Sequence, residues 1–179
     1  MIARDDTLLV IVDIQGSLAQ VMFEKEKLFD NAVKLIKGFK TLKMPAIVTE
    51  QIPQKLGNTL PRIAEEIDGF NPIAKESFSC WGEKNFKAAL EATGRRQIVL
   101  CGIECHVCVY QTAVDLVSNS YKVHLVADAV SSRTPENRRI GIDAMKSAGA
   151  KITSVEMVLF EILGTAADPS AREFFKIVK

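Results

Sequence analysis

The sequence predicts a three-layer αβα fold built on a six-stranded, mostly parallel, doubly wound sheet. Three observations carry that reading. Short continuous apolar runs recur along the chain, as strands buried on both faces do. Segments with one apolar stripe at helical spacing alternate with them. No internal repeat, low-complexity tract or linker breaks the alternation. A βαβα order gives a parallel sheet with helices on both faces, and right-handed crossovers make it doubly wound.

Each element has its own signal. Leu8 to Val12 is an unbroken apolar run ending at Asp13. Residues 28–42 set Leu28, Ala32, Leu35, Ile36, Phe39 and Leu42 on one helical face, and Met44-Pro45 stops that helix. Ala46 to Thr49 reads as strand two, and Pro53 and Gly57 make Gln51 to Leu60 a loop. Pro72 to Lys75 is a short third strand, residues 83–92 a helix ending before Gly94, and Gln97 to Gly102 strand four. Val107 to Val117 is apolar enough that its helix must be largely buried. Lys122 to Ala127 is strand five, and residues 135–148 form a helix with Pro135 at its start and Gly149 past its end. Ala150 to Val155 is strand six, and Glu156 to Leu163 begins the C-terminal helices.

A length of 179 residues suits one domain covering 1–179. The 23 Lys+Arg nearly balance the 22 Asp+Glu, so the basic excess of a general nucleic-acid binder is missing. No apolar run approaches the roughly 18 residues of a membrane span. Met1 to Asp6 contains no signal-peptide apolar core, so a cytoplasmic protein is expected. In that compartment Cys80, Cys101, Cys105 and Cys108 are expected to be free, catalytic or metal-bound, not paired in disulfides.

Ligands of doubly wound sheets bind outside the carboxyl ends of the strands. Strand one ends in Asp13, strand three in Lys75, and strand four runs into a turn that places Cys108 at or just inside a helix N-terminus. With strand one central, a carboxylate, an ammonium and a thiol converge on one rim, clear of the core. A helix N-terminus and a nearby cation favour thiolate; a carboxylate disfavours it but can take the thiol proton as general base. That is the constellation of a cysteine hydrolase.

The chain resembles the isochorismatase-like cysteine hydrolase superfamily over essentially its full length. The matching pieces are V-D-I-Q (12–15), K-E-S-F (75–78), G-I-E-C-H-V-C-V-Y-Q-T-A-V-D (102–115) and V-A-D-A-V-S-S-R (126–133). T-E-Q-I-P-Q-K-L-G (49–57) and E-M-V-L-F-E-I-L (156–163) are similar to the isochorismatase-domain-containing, or YcaC-related, subgroup. The resemblance implies a catalytic triad of Asp13, Lys75 and Cys108. It implies cofactor-independent hydrolysis of a small amide or related C–N bond through a thioester. It implies a cis peptide at Ile103–Glu104, an oxyanion hole from the N–H groups of Glu104 and Cys108, and a homo-oligomer. Nicotinamidases of the superfamily hold a metal through an Asp and His residues after strand two, whereas Glu50 to Gln54 has no His, so neither metal nor nicotinamide is expected. Isochorismate is not expected either, since true isochorismatases cleave a vinyl ether without a nucleophilic Cys. Cys105 stands where the family turn often has Thr or Ser.

Other residues have two readings. Gln15, Gln51, Phe78, Trp81 and His106 are candidate substrate contacts. Gln15 also reads as a helix-start residue, Phe78 and Trp81 as core or oligomer contacts, and His106 as an exposed first-turn residue. His124 reads as a satisfied core or interface histidine, and Asp128 as a structural partner of the Ser131-Ser132 turn. The C-x3-C-x2-C spacing of Cys101, Cys105 and Cys108 matches an iron–sulfur loop, but Cys101 falls inside a strand. After strand one neither G-x-G-x-x-G nor a P-loop follows. Two other functions stay open at this point: a non-catalytic binding or scaffold member of the fold, and a thiol redox protein.

Overall fold

The computed structural model describes all 179 residues. Its strands are β1 (Thr7–Val12), β2 (Ala46–Gln51), β3 (Ile73–Lys75), β4 (Gln97–Gly102), β5 (Lys122–Val130) and β6 (Lys151–Thr153). They form one sheet in the order β3-β2-β1-β4-β5-β6. Every pairing is parallel. The winding reverses between β1 and β4, which places the crevice of the fold at their carboxyl ends. The helices are α1 (Gly16–Gln20), α2 (Lys25–Thr41), α3 (Pro53–Leu56), α4 (Pro61–Ala64), α5 (Lys84–Ala92), α6 (Tyr110–Ser118), α7 (Pro135–Ser147), α8 (Val155–Leu163) and α9 (Ala171–Val178).

The two-residue period of a strand divides the core. Leu9 and Ile11 of β1 face a cluster with Leu35 and Phe39 of α2, Leu159 of α8 and Phe174 of α9. Leu8, Val10 and Val12 face a second cluster with Phe86 of α5, Leu116 of α6 and Met145 of α7. Fully burying a side chain such as Phe39 or Leu116 contributes about 1.5–3 kcal/mol. Truncating Phe39 to Ala costs about 3–5 kcal/mol, because a cavity is left as well.

Local signals set the ends of the helices. Lys43, with φ 54°, terminates α2, and Met44 N–H then donates to Phe39 O at 2.8 Å. The stop is thus a left-handed residue one step before the Met44-Pro45 pair that marks it in the sequence. Thr134 caps α7 through Asn137 N–H, with Pro135 at the first helical position, and Ser154 caps α8 through Met157 N–H.

The structure departs from the sequence reading in several places: strand six is only Lys151–Thr153, since Ser154 caps α8 and Val155 opens it, the short helices α1 and α4 are additional, and three further differences lie nearer the site. Strand β5 continues past Ala127 to Val130, with an irregularity in its pairing between Leu100 and Gly102. Pro53 starts a helical turn, α3, inside the segment that reads as loop. The apolar segment after β4 opens with a π-helical turn, Cys105–Val109, before α6 begins at Tyr110. A π turn has one extra residue per hydrogen-bonded ring, and such turns cluster at functional sites.

Candidate active site

Three strand ends build the site. Asp13 follows β1 with φ 53°, and its N–H donates to Thr49 O of β2 at 3.2 Å. Gly102 at the end of β4 has φ 123°, and a Cβ there would run into Val12 O, so only glycine lets β1 and β4 approach this closely. Lys75 ends β3, paired with Gln51, and its side chain crosses the end of β2 to reach Asp13.

The polar contacts form one connected cluster. Lys75 Nζ meets Asp13 Oδ2 at 2.8 Å. It also donates to Gln51 Oε1 at 2.5 Å, Phe78 O at 2.9 Å and Ser77 O at 3.1 Å. An ammonium has three protons, so four oxygens leave it none for a substrate. Thr49 Oγ1 donates to Asp13 Oδ1 at 2.7 Å, which fixes the carboxylate and leaves Oδ2 for Lys75. Cys80 Sγ sits 3.7 Å behind Thr49 Oγ1, and Cys108 Sγ lies 3.9 Å from Gln51 Oε1.

These groups lie on the rim yet are buried: Asp13 is 1% exposed, Lys75 2% and Cys108 7%. Burial reverses the thiolate-favouring environment expected from a helix N-terminus. It pushes the Cys108 thiol up to about 12, the Asp13 charge and a hydrogen bond to Asp13 push the same way, and only Lys75 opposes them. Burial by itself would lower the Lys75 pKa, but the charge of Asp13 and a hydrogen bond to it raise it overall. The resting cluster therefore holds an ammonium and a neutral thiol, with its proton beside a carboxylate.

The peptide between Ile103 and Glu104 is cis. Val107 and Val109 donate to Glu104 O at 3.0 and 3.2 Å, while Glu104 N–H has no acceptor within the chain. The Glu104 side chain turns away and accepts from Arg133 N–H and Nε at 3.2 and 3.1 Å.

The remaining candidates separate. Gln15 is fully buried, and its amide pairs with backbone: Gln51 N–H donates to its Oε1 at 2.6 Å, and its Nε2 donates to Gln51 O and Gly57 O at 3.0 and 2.6 Å. Gln51 is brought into the cluster, with its Nε2 donating to Glu76 O at 2.7 Å. Trp81 packs edge-on to Tyr121 against the second core cluster, with Lys87 over its ring. Phe78 is 55% exposed. His106 is half-buried, its Nδ1 2.9 Å from Ser132 Oγ. His124 is buried in β5. Asp128 does not bond the Ser131-Ser132 turn: Oδ1 accepts from Val155 N–H at 2.9 Å, because β5 runs on past it and carries it to the start of α8. Cys101 faces one core cluster while Cys105 and Cys108 face the other, so the three thiols do not converge. No three His, Cys, Asp or Glu side chains are grouped to hold a metal ion. Sequence reasoning missed Thr49, and Glu83, whose Oε1 accepts from Ser77 Oγ at 2.6 Å in the turn after Lys75. Thr49 opens the T-E-Q stretch of 49–57, which was its only signal.

A doubly wound sheet with a buried Asp–Lys–Cys cluster at its switch point defines a class of α/β protein. Comparison with known families narrows it. The isochorismatase domain family matches residues 7–157, and the chain belongs to that family. It is 34% identical over 173 residues to isochorismatase domain-containing protein 2 of Danio rerio, covering 96% of this chain and 86% of that protein. It is 32% identical over 177 residues to the secreted isochorismatase effector Isc1 of Phytophthora sojae, covering 97% and 84%. Among solved structures, the MAR1 ribonuclease from Caenorhabditis elegans superposes with a TM-score of 0.93 at 32% identity, covering 99% of this chain and 91% of that one. YcaC from Escherichia coli, described as an octameric hydrolase of unknown specificity, shares the fold with a TM-score of 0.92 at 24% identity, covering 98% and 89%. The chain thus has the isochorismatase-family hydrolase fold. No helix is long and apolar enough to cross a membrane.

Proposed function

We propose that this chain is a cofactor-independent cysteine hydrolase of a small amide or related C–N substrate, with Asp13, Lys75 and Cys108 as its catalytic triad. The observation that carries the reading is the buried Lys75–Asp13 pair, 2.8 Å long, whose carboxylate and ammonium both act on the Cys108 thiol. A neutral thiol with a raised pKa is a poor nucleophile by itself, so it needs a base in contact. Asp13 takes the proton as Cys108 Sγ bonds to the substrate carbonyl carbon. The N–H groups of Glu104 and Cys108 face the developing oxyanion, and one such donor is worth about 3–4 kcal/mol of barrier. Asp13 then returns the proton to the leaving amine as the C–N bond breaks, and a thioester remains. Water attacks the thioester, Asp13 takes its proton, and that proton goes back to sulfur as the acid departs. Lys75, saturated by oxygens, acts as a fixed charge that stabilises the thiolate forming in the attack.

The burial of the cluster favours a small substrate, and the net charge of +1 gives a polyanion little attraction. In this reading residues 1–179 act as one domain, in the cytoplasm and as a homo-oligomer, as the octameric fold relative does. The test is a panel of small amides, with a short RNA included because a neighbour is described as a ribonuclease. The expected result is ammonia or amine release with an acyl mass on the Cys108 peptide, both lost in Cys108→Ser. RNA cleavage that survives Cys108→Ser, with no amide turned over, would overturn the proposal.

A further inference from the structure

The turn after Lys75 is built around a carboxylate outside the proposed triad. Glu83 Oε1 accepts from Glu76 N–H at 3.0 Å, Ser77 N–H at 3.0 Å and Ser77 Oγ at 2.6 Å. Bonds to an ionised acceptor are about twice as strong as neutral ones. Gly82 lets the chain fold back here, since a Cβ at that position would run into Ser77 Oγ. Glu83 occupies the N-cap position of α5, yet its side chain makes no capping bond. It is turned toward the loop instead.

The same turn supplies half of the oxygens around the Lys75 ammonium. Ser77 O and Phe78 O accept from Nζ at 3.1 and 2.9 Å, and Asp13 and Gln51 supply the others. We propose that Glu83 is a positioning residue: its carboxylate shapes the 76–79 turn so that the Lys75 charge is held against Asp13 and beside Cys108. The inference rests on the roles proposed above for Asp13, Lys75 and Cys108. Without the carboxylate, the two N–H groups turn to water, the Ser77 hydroxyl keeps only Ser79 O at 3.0 Å, and the turn relaxes. Nζ then keeps two firm partners out of four. A cation free to drift stabilises a forming thiolate less.

The test needs no substrate. Cys108 alkylation by iodoacetamide is followed by peptide mass mapping across a pH series, in wild type, Glu83→Ala and Glu83→Gln, with Cys80, Cys101 and Cys105 as internal references. The expected result is Cys108 alkylation about tenfold slower in Glu83→Ala at any one pH, equivalent to a profile displaced upward by about one pH unit. Glu83→Gln, which keeps an accepting oxygen, should fall between the two, and the other three thiols should stay protected. The sign separates positioning from mere support of the fold, because a loosened structure exposes buried thiols and speeds their alkylation. If Glu83→Ala loses cooperative unfolding, Ser77→Ala carries the same comparison, since it removes the 2.6 Å hydroxyl donor to Glu83 along with that hydroxyl's 3.0 Å contact to Ser79 O. Unchanged or faster Cys108 alkylation in the variants would overturn the inference. A wild-type Cys108 no faster than the other three thiols would overturn the triad reading, and this inference with it.

Discussion

Each end of the sheet has a cation–carboxylate pair of nearly the same length, and the two differ in everything else. At the carboxyl rim Lys75 meets Asp13 at 2.8 Å, with side chains 0% and 2% exposed. Before the amino end of β1 Arg4 meets Asp168 at 2.9 Å, with side chains 36% and 14% exposed. Arg4 also donates to Ile162 O and Leu163 O, closing the C-terminus of α8, so it serves as a helix cap that water can reach. The Lys75–Asp13 pair caps nothing and sits out of water. Distance alone does not rank ion pairs; what surrounds them does. A solvated pair is worth about 0–1 kcal/mol, whereas breaking a buried pair by removing one partner costs about 3–5 kcal/mol. In the proposed reading, so costly a pair beside a thiol is there for chemistry.

The sharpest way to break the comparison is Asp13→Asn. Its shape is kept, and Lys75 loses its counter-charge but retains Gln51, Ser77 and Phe78, so the fold should hold at a cost of no more than about 3–5 kcal/mol while turnover of a small amide falls by about 10²–10⁴-fold. Steady-state kinetics on the first amide found to react would check this, and full activity would remove Asp13 from the chemistry. Next in size is Lys75→Met, which strands the Asp13 charge. Urea unfolding should show a loss of about 3–5 kcal/mol. Arg4→Met belongs in the same experiment and should lose no more than about 1–2 kcal/mol, for the solvated pair and the carbonyl bonds together. Equal losses at the two rims would erase the distinction.

The smallest effect lies between the rims. Burial, followed by the charge of Lys151, holds the His124 pKa below its ordinary 6.5. The unfolded chain therefore takes up the proton first as pH falls. Stability tied to neutral His124 is fully present above about pH 6.5 and is lost as pH drops toward the folded value. Unfolding midpoints measured on either side of pH 6.5 should fall more steeply in wild type than in His124→Gln.

How far the sequence reaches follows from which contacts are local. Leu8–Val12 and Gln97–Gly102 are continuous apolar runs, and their polar ends mark the rim where Asp13 and the Cys108 turn lie. The reach of Lys75 across β2 follows from the strand order β3-β2-β1, of which the sequence reading held only that strand one is central. Thr49 and Glu83 escape sequence reading because their task is hydrogen bonding to residues 36 and six positions away, and neither has a periodic or motif signal of its own. The thiol environment is misread for a related reason. Helix position and charge partners can be taken from sequence, but the depth of burial that outweighs them is set by the packing of α5, α6 and α7 on the sheet. Strand β5 overruns its expected end because a half-buried Asp128 reads as a stop until Val155 N–H is seen to satisfy it.

The central claim is that Cys108 rests as a neutral thiol and gives up its proton only during attack. The measurement that tests it most directly is the rate of Cys108 alkylation in the wild-type chain from neutral pH to the highest pH at which the fold survives. With the thiol pushed up to about 12, the rate should keep rising across that whole range without levelling. A rate that has already reached a plateau by neutral pH would mean a preformed thiolate stabilised by Lys75, and would contradict the account.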